Sequence, residues 1–200
     1  MSASSATLPR PAAPAKRPRA PAKPLDPLGQ VRSVLAERYP ANGAAGASAR
    51  RAPSGMPRPA DYQAFYRLST ADRVDVVKAG VPASFVDVAA HWLGQPKERL
   101  TRMLGLSQAT VNRKAAKGQA LSPEQGERVL GVAEIIGLVQ TMVEQSGDPH
   151  GFCAPAWVAH WLDVPLPALG GRKPADYMDT QTGQGLVLDL LRRGQSGAYS

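Results

Sequence analysis

Cysteine is nearly absent from this 200-residue chain, because Cys153 is the only one. A single thiol cannot form an intrachain disulfide, so no disulfide framework holds the fold. Apart from His150, no potential zinc ligands cluster near it in the sequence, and we expect no metal site and no cofactor. The expected compartment is the reducing cytoplasm. Cys153 itself is expected to be a small, half-buried apolar residue.

Long apolar runs and strand patterns are also scarce. No stretch approaches the ~20 residues that a membrane-spanning helix needs. The N-terminal residues lack the apolar segment of a secretory signal. Strict alternation of apolar and polar residues, which indicates half-buried strands, is nearly missing. The sequence therefore predicts an all-α fold and no membrane partner.

Positive charge is abundant, but it is unevenly placed. The net charge is +8, and all of it belongs to residues 1–60, because residues 61–200 carry fourteen basic and fourteen acidic side chains. A basic segment favours an acidic partner, of which nucleic acid is the most common.

Residues 1–58 are rich in proline, alanine and arginine. Such a composition has too little apolar surface to repay the entropy of ordering, and we expect a disordered extension. Within it, residues 28–39 place apolar side chains at helical spacing and predict a short helix: Leu28, Val31, Leu35 and Tyr39. The extension is either a solvated tail or a loose arm that binds DNA or a partner.

Residues 59–147 are expected to form a helical domain. Ser69 resembles an N-cap, and its helix should end before Gly80. Pro82 is expected at the first position of the next helix. The longest helix should begin at Ser122, which precedes proline and glutamate. Three glycines within it predict close helix packing: Gly126, Gly131 and Gly137.

Residues 96–117 carry the most informative local pattern. Gly105 stands where two helices must turn tightly, Ser107 is placed to cap the second helix, and Val111 and Ala115 should face the core. This segment holds six basic residues and one acid. The pattern predicts a helix-turn-helix that reads DNA, although a solvated helical hairpin would show the same pattern. The expected DNA-binding residues are Ser107, Gln108, Thr110, Asn112, Arg113, Lys114 and Lys117.

Residues 148–200 are expected to form a second helical domain, with helices over 155–163, near 174–178 and from about 180 to 193. No nucleophile–base pair is recognisable in the sequence, and His160 is interpreted as a structural residue, so we expect no enzyme. The anticipated small core consists of Trp157, Trp161, Leu162, Leu169, Leu186, Leu190 and Leu191.

An ordered set of residues in this region carries a family resemblance. It consists of Trp161-Leu162, Leu169-Gly170-Gly171, Pro174, Asp176, Asp179-Thr180, Gly183, Val187, Leu190-Leu191, Arg193, Gly197 and Tyr199. In this order and spacing it resembles the toxin-binding domain of the Xre/MbcA/ParS antitoxins. The helix-turn-helix before it is similar to the Xre-like segment of the same family.

The resemblance implies a type II toxin–antitoxin function. Its members pair with a RES-domain toxin that consumes NAD, and their C-terminal domain covers the toxin's active site. They bind operator DNA of their own operon, often as homodimers. By position, the implied toxin-binding residues are Arg172, Lys173, Asp179, Thr180, Arg192, Arg193, Gly197, Tyr199 and Ser200. A stand-alone transcriptional regulator, whose C-terminal domain only dimerises, is the alternative.

Two positions depart from the family pattern. Gly194 replaces the usual aliphatic residue, and Ala198 stands where valine is common. Both changes predict a looser C-terminal segment. A simpler interpretation of Arg192 and Arg193 is that they complement the dipole of the last helix.

Overall fold

The structure is a computed structural model that describes residues 59–147 and 149–195. The predicted extension over 1–58, with its short helix at 28–39, lies outside the described residues. So do three implied toxin-binding residues, Gly197, Tyr199 and Ser200.

The described residues confirm the all-α class. Their only β-like features are two isolated bridges, Pro82 with Ala120 and Leu166 with Arg172. Eight α-helices and two 3-10 turns follow one another: α1 Pro59–Tyr66, α2 Thr70–Ala79, α3 Phe85–Trp92, α4 Lys97–Met103, α5 Gln108–Ala116, α6 Pro123–Ser146, α7 Ala154–Trp161, a first 3-10 turn Pro167–Leu169, a second 3-10 turn Pro174–Tyr177, and α8 Gln181–Gln195.

The helix starts follow their capping residues. The hydroxyls of Ser69, Ser107 and Ser122 accept hydrogen bonds from the first-turn amides of α2, α5 and α6. Ser122 also completes a capping box with Gln125, whose side chain accepts from the Ser122 amide at 3.2 Å. All three helices therefore begin where the local sequence predicts them.

The predicted role of Pro82 is wrong. The chain at Pro82 pairs with the loop after α5, because the Leu121 amide donates to the Val81 carbonyl at 2.8 Å. The Ala83 amide donates in turn to the Gln119 carbonyl at 3.0 Å. This pairing holds the segment extended, and α3 begins only at Phe85.

Helix α6 is the central element, and its glycines permit close packing as predicted. A Cβ atom at Gly137 would lie 2.1 Å from the Tyr62 carbonyl oxygen of α1, and one at Gly131 would lie 1.8 Å from the Gln184 Oε1 atom of α8. One apolar core extends from Tyr62 to Leu191 and includes residues of both predicted domains. The two halves are therefore packed together through α6.

Three burial predictions for the C-terminal region are wrong. Cys153 is exposed because it stands at the N-cap position of α7, outside the helix. Trp157 and Leu186 retain 38% and 40% exposure, so they do not belong to the core. Leu162, Leu169, Leu190 and Leu191 are buried as predicted. None of the described helices combines the length and the apolar character that crossing a bilayer requires.

Candidate functional sites

Helices α4 and α5 form the predicted helix-turn-helix geometry. Leu100, Leu104, Leu106 and Val111 are buried and fix the two helices against the core. Gly105 adopts a φ of +60°, which a glycine adopts without steric cost, and this allows the turn between the helices. Of the nine residues of α5, only Val111 is fully buried. The remaining surface of α5 is available to a partner.

The seven predicted DNA-binding residues occupy different environments. Asn112, Arg113 and Lys117 are exposed, and they form the open face of α5 and its C-terminal end. Gln108 is partly buried and donates through Nε2 to the Glu98 Oε1 atom of α4 at 2.7 Å. Ser107 is exposed at the N-cap, whereas Thr110 and Lys114 are partly buried. The exposed Asn112 amide and the Arg113 and Lys117 cations therefore lie on α5 and at its C-terminal end. Gln108 is instead hydrogen-bonded to Glu98 within the helix-turn-helix.

Two of the predicted toxin-binding residues, Thr180 and Arg192, lie at opposite ends of α8. Thr180 precedes α8, and its hydroxyl accepts from the Gly183 amide at 3.1 Å. Arg192 lies near the other end and donates to Asp189 at 3.1 Å. Arg193 follows Thr180 by thirteen residues, which corresponds to ~20 Å along the helix.

Three more of the predicted toxin-binding residues flank the second 3-10 turn. Arg172 and Lys173 precede this turn and Asp179 follows it, and all three are exposed. The Lys173 amide donates to the Asp176 carboxylate at 3.1 Å, which fixes the start of the turn. Asp179 and Thr180 therefore lie at the start of α8, apart from Arg192 and Arg193, whereas the Arg172 carbonyl accepts from the Leu166 amide at 3.0 Å.

Two residues that the sequence interpretation missed connect these surfaces. The Arg128 Nη1 atom of α6 donates to the Leu104 carbonyl at 2.8 Å, to that of Gly105 at 3.3 Å and to that of Asp179 at 3.1 Å. Gln184 donates to the Arg128 and Met178 carbonyls at 3.0 and 2.9 Å. The turn of the helix-turn-helix is thereby held against the start of α8. Only Gly131, which leaves room for Gln184, gives a sequence signal of this arrangement.

Within residues 59–147 and 149–195, two titratable groups have clearly shifted pKa values. Burial, followed by the nearby Cys153 and Asp61 charges, raises the pKa of Tyr62 in α1 to about 12. At the start of α6, a backbone hydrogen bond and then the Ser122 hydroxyl lower the pKa of Glu124. The first shift mainly reflects the burial of Tyr62, and the second reflects helix capping.

Comparison with known protein families gives a match for the helix-turn-helix region and for the C-terminal region. Residues 72–134 match the antitoxin Xre-like helix-turn-helix domain, and residues 147–197 match the antitoxin Xre/MbcA/ParS C-terminal toxin-binding domain. A protein of Sphingobium sp. (strain YBL2) named "Prs ADP-ribosylating antitoxin" is 45% identical over 152 residues, which cover 76% of this chain and 96% of the relative. The chain belongs to the Xre/MbcA/ParS antitoxin family.

A more distant relative agrees with this assignment. "Antitoxin Xre" of Yersinia enterocolitica serotype O:8 / biotype 1B (strain NCTC 13174 / 8081) is 27% identical over 127 residues, which cover 64% of this chain and 80% of the relative. The protein is thus the antitoxin of a toxin–antitoxin system, with a helix-turn-helix and a toxin-binding domain. In this Xre/MbcA/ParS antitoxin, α4 and α5 lie in the matched helix-turn-helix region, and α7 and α8 lie in the matched toxin-binding region.

Proposed function

We propose that this antitoxin neutralises a RES-type toxin that consumes NAD by covering the entrance to its active site. The observation that carries the proposal is the toxin-binding match over residues 147–197, which contains all of α8. The exposed Arg192 and Arg193 stand immediately before the last residues of the chain, where Gly197, Tyr199 and Ser200 are the proposed plug. Arginine pairs well with carboxylates, and tyrosine is a frequent interface anchor. Inhibition by occlusion requires no catalysis by this chain.

The chemistry of the toxin is supported by the name of the Sphingobium relative. That name couples the word antitoxin with ADP-ribosylation. ADP-ribosyl transfer takes its group from NAD, so a toxin of that chemistry has an NAD pocket with phosphate-binding groups. The exposed Thr180 hydroxyl can bind such groups, and the exposed Arg192 and Arg193 can pair with acidic side chains beside the pocket.

We further propose that the antitoxin represses its own operon. Asn112 of α5 offers an amide for base edges, and Arg113 and Lys117 offer cations for phosphates. Helix-turn-helix proteins usually bind two half-sites through a two-fold axis, so the proposed binding species is a homodimer in the cytoplasm. Residues 59–147 form the proposed DNA-binding domain, and residues 148–200 form the proposed toxin-binding domain.

Deletion of residues 192–200 tests the occlusion mechanism. The deletion retains the buried Leu190 and Leu191, so the fold should persist and can be checked by cooperative thermal melting. Cells that coexpress the adjacent toxin gene should lose growth and NAD with the truncated antitoxin, and should keep both with full-length antitoxin. Deletion of residues 1–27 is the control and should leave protection intact. Full protection by the chain that ends at Leu191 would refute the plug.

A further inference from the structure

An apolar groove lies beside the C-terminal half of α6. It encloses about 660 Å³ between α6, α7, the first 3-10 turn and the end of α8. Its wall includes Phe152, Trp157 and Trp161, and the two indole rings are stacked at 5.8 Å. Trp157 remains 38% exposed. Contiguous exposed apolar surface of this kind marks a place where another segment binds.

The position of α1 shows which part of the chain approaches this groove. The Gln63 Nε2 atom donates to the Glu144 Oε2 atom of α6 at 2.6 Å, and Glu144 is adjacent to Val143, which lines the groove. Tyr62 lies against Gly137, so α1 packs along the C-terminal half of α6, on a face of α6 that does not line the groove. Because α1 begins at Pro59, the chain that precedes it leaves the described fold beside the C-terminal half of α6, which also carries the groove on another face.

The preceding chain contains one segment whose apolar pattern fits the groove. Residues 28–39 carry Leu28, Val31 and Leu35 at the spacing of one helix face. Leu28 and Leu35 are seven residues apart, as are Val139 and Ser146 of the groove wall, which corresponds to ~10 Å along a helix. The linker of residues 40–58 spans ~25 Å when flexible, so its length permits this segment to reach the groove.

We propose that the groove is the docking site of the chain's own residues 28–39, bound as an amphipathic helix within the same molecule. The short linker gives this segment a high effective concentration at the groove. Arg128, which contacts the helix-turn-helix, lies ~27 Å along α6 from Ser146 at the groove. Docking therefore anchors basic residues 1–27 beside the toxin-binding region, away from α5.

The single cysteine provides a direct test in the full-length chain. Cys153 is exposed and adjacent to Phe152 of the groove wall, so a nitroxide attached to it reports proximity to the groove. In nuclear magnetic resonance spectra, the amides of residues 28–39 should broaden strongly, and those of residues 1–15 should broaden less. Leu35→Asp, on the apolar face, should abolish the broadening. Ser33→Asp, on the opposite face, is the matched control and should preserve it.

Two further measurements separate the possible occupants. In a mixture of isotope-labelled chains without nitroxide and unlabelled chains with nitroxide, the amides of residues 28–39 should not broaden. Broadening in that mixture would show that a second copy occupies the groove and would overturn the proposal. Acrylamide quenching of the tryptophans in the chain without nitroxide should increase with Leu35→Asp and not with Ser33→Asp. Equal quenching of both variants, together with no stronger broadening of residues 28–39 than of residues 1–15, would also overturn the docking proposal. This outcome does not depend on whether toxin neutralisation or operator binding is confirmed.

Discussion

Helices α5 and α8 carry the two proposed binding functions, but they differ in how much of each helix is buried in the core. Val111 is the only fully buried residue of α5, and the candidate DNA-binding side chains are on the rest of the surface of this helix and at its ends. In α8, Val187, Leu188, Leu190 and Leu191 are buried, and the candidates occupy its two ends. Surface changes on α5 should therefore alter binding alone, whereas changes along α8 alter stability as well.

Gly131→Ala should have the largest effect, because it acts on the packing of α8 against α6. The new Cβ atom would lie 1.8 Å from the Gln184 Oε1 atom and would displace a side chain that bonds to two carbonyls. We expect a loss of about 1–3 kcal/mol in the free energy of unfolding, measured with urea. Gly185→Ala, in open space within α8, should instead stabilise by ~0.5–1 kcal/mol. Equal effects of both variants would contradict this account of α8.

Arg128→Met should cost about 2 kcal/mol, because it leaves the Leu104 and Asp179 carbonyls without a charged donor. It should weaken operator binding and toxin binding together, since one side chain holds the α4–α5 turn against the start of α8. Arg102→Met, an exposed change of the same charge, should leave the free energy of unfolding within ~0.5 kcal/mol. Retention of both affinities by Arg128→Met would show that the two surfaces are independent.

The sequence predicts the local features well because their causes are local. Ser69, Ser107 and Ser122 cap helices through amides only a few residues away, and Gly105 makes its turn with its own φ. The family pattern, which begins at Trp161-Leu162, likewise indicated a toxin-binding region, and the toxin-binding match over residues 147–197 contains most of that pattern.

Features that depend on contacts between distant residues could not be predicted in this way. Pro82 pairs with a loop almost forty residues later, and Arg128 bonds to a carbonyl fifty-one residues away. Trp157 satisfies the helical pattern of a core residue, but its neighbours leave it at the open groove. Burial of a tryptophan depends on which elements cover it, and apolar periodicity alone does not specify them.

The double variant Arg113→Ala with Lys117→Ala tests whether the open face of α5 binds phosphates. Each phosphate contact contributes ~0.9 to the slope of log affinity against log salt, so the slope should fall by roughly 2 and the affinity by about tenfold or more. Anisotropy titrations of operator DNA at several salt concentrations measure both. Arg67→Ala with Lys78→Ala removes the same charge from exposed positions outside α5 and should change neither. Unchanged salt slopes for both double variants would show that Arg113 and Lys117 do not contact the DNA phosphates.

The smallest effect concerns the burial of the Tyr62 side chain of α1, and it is visible only in alkali. Since the pKa of Tyr62 is raised from 10.0 to about 12, the unfolded chain loses this proton before the folded chain does. The free energy of unfolding should therefore fall between pH 10 and pH 12, by about 1 kcal/mol at pH 11 from this group. Urea unfolding of Tyr62→Phe at pH 9 and pH 11 should show a shallower fall than that of the unchanged chain. Tyr66→Phe, one turn later, retains Tyr62 and should keep the steeper fall. Parallel behaviour of the two variants would show that Tyr62 is not the group whose raised pKa causes the fall.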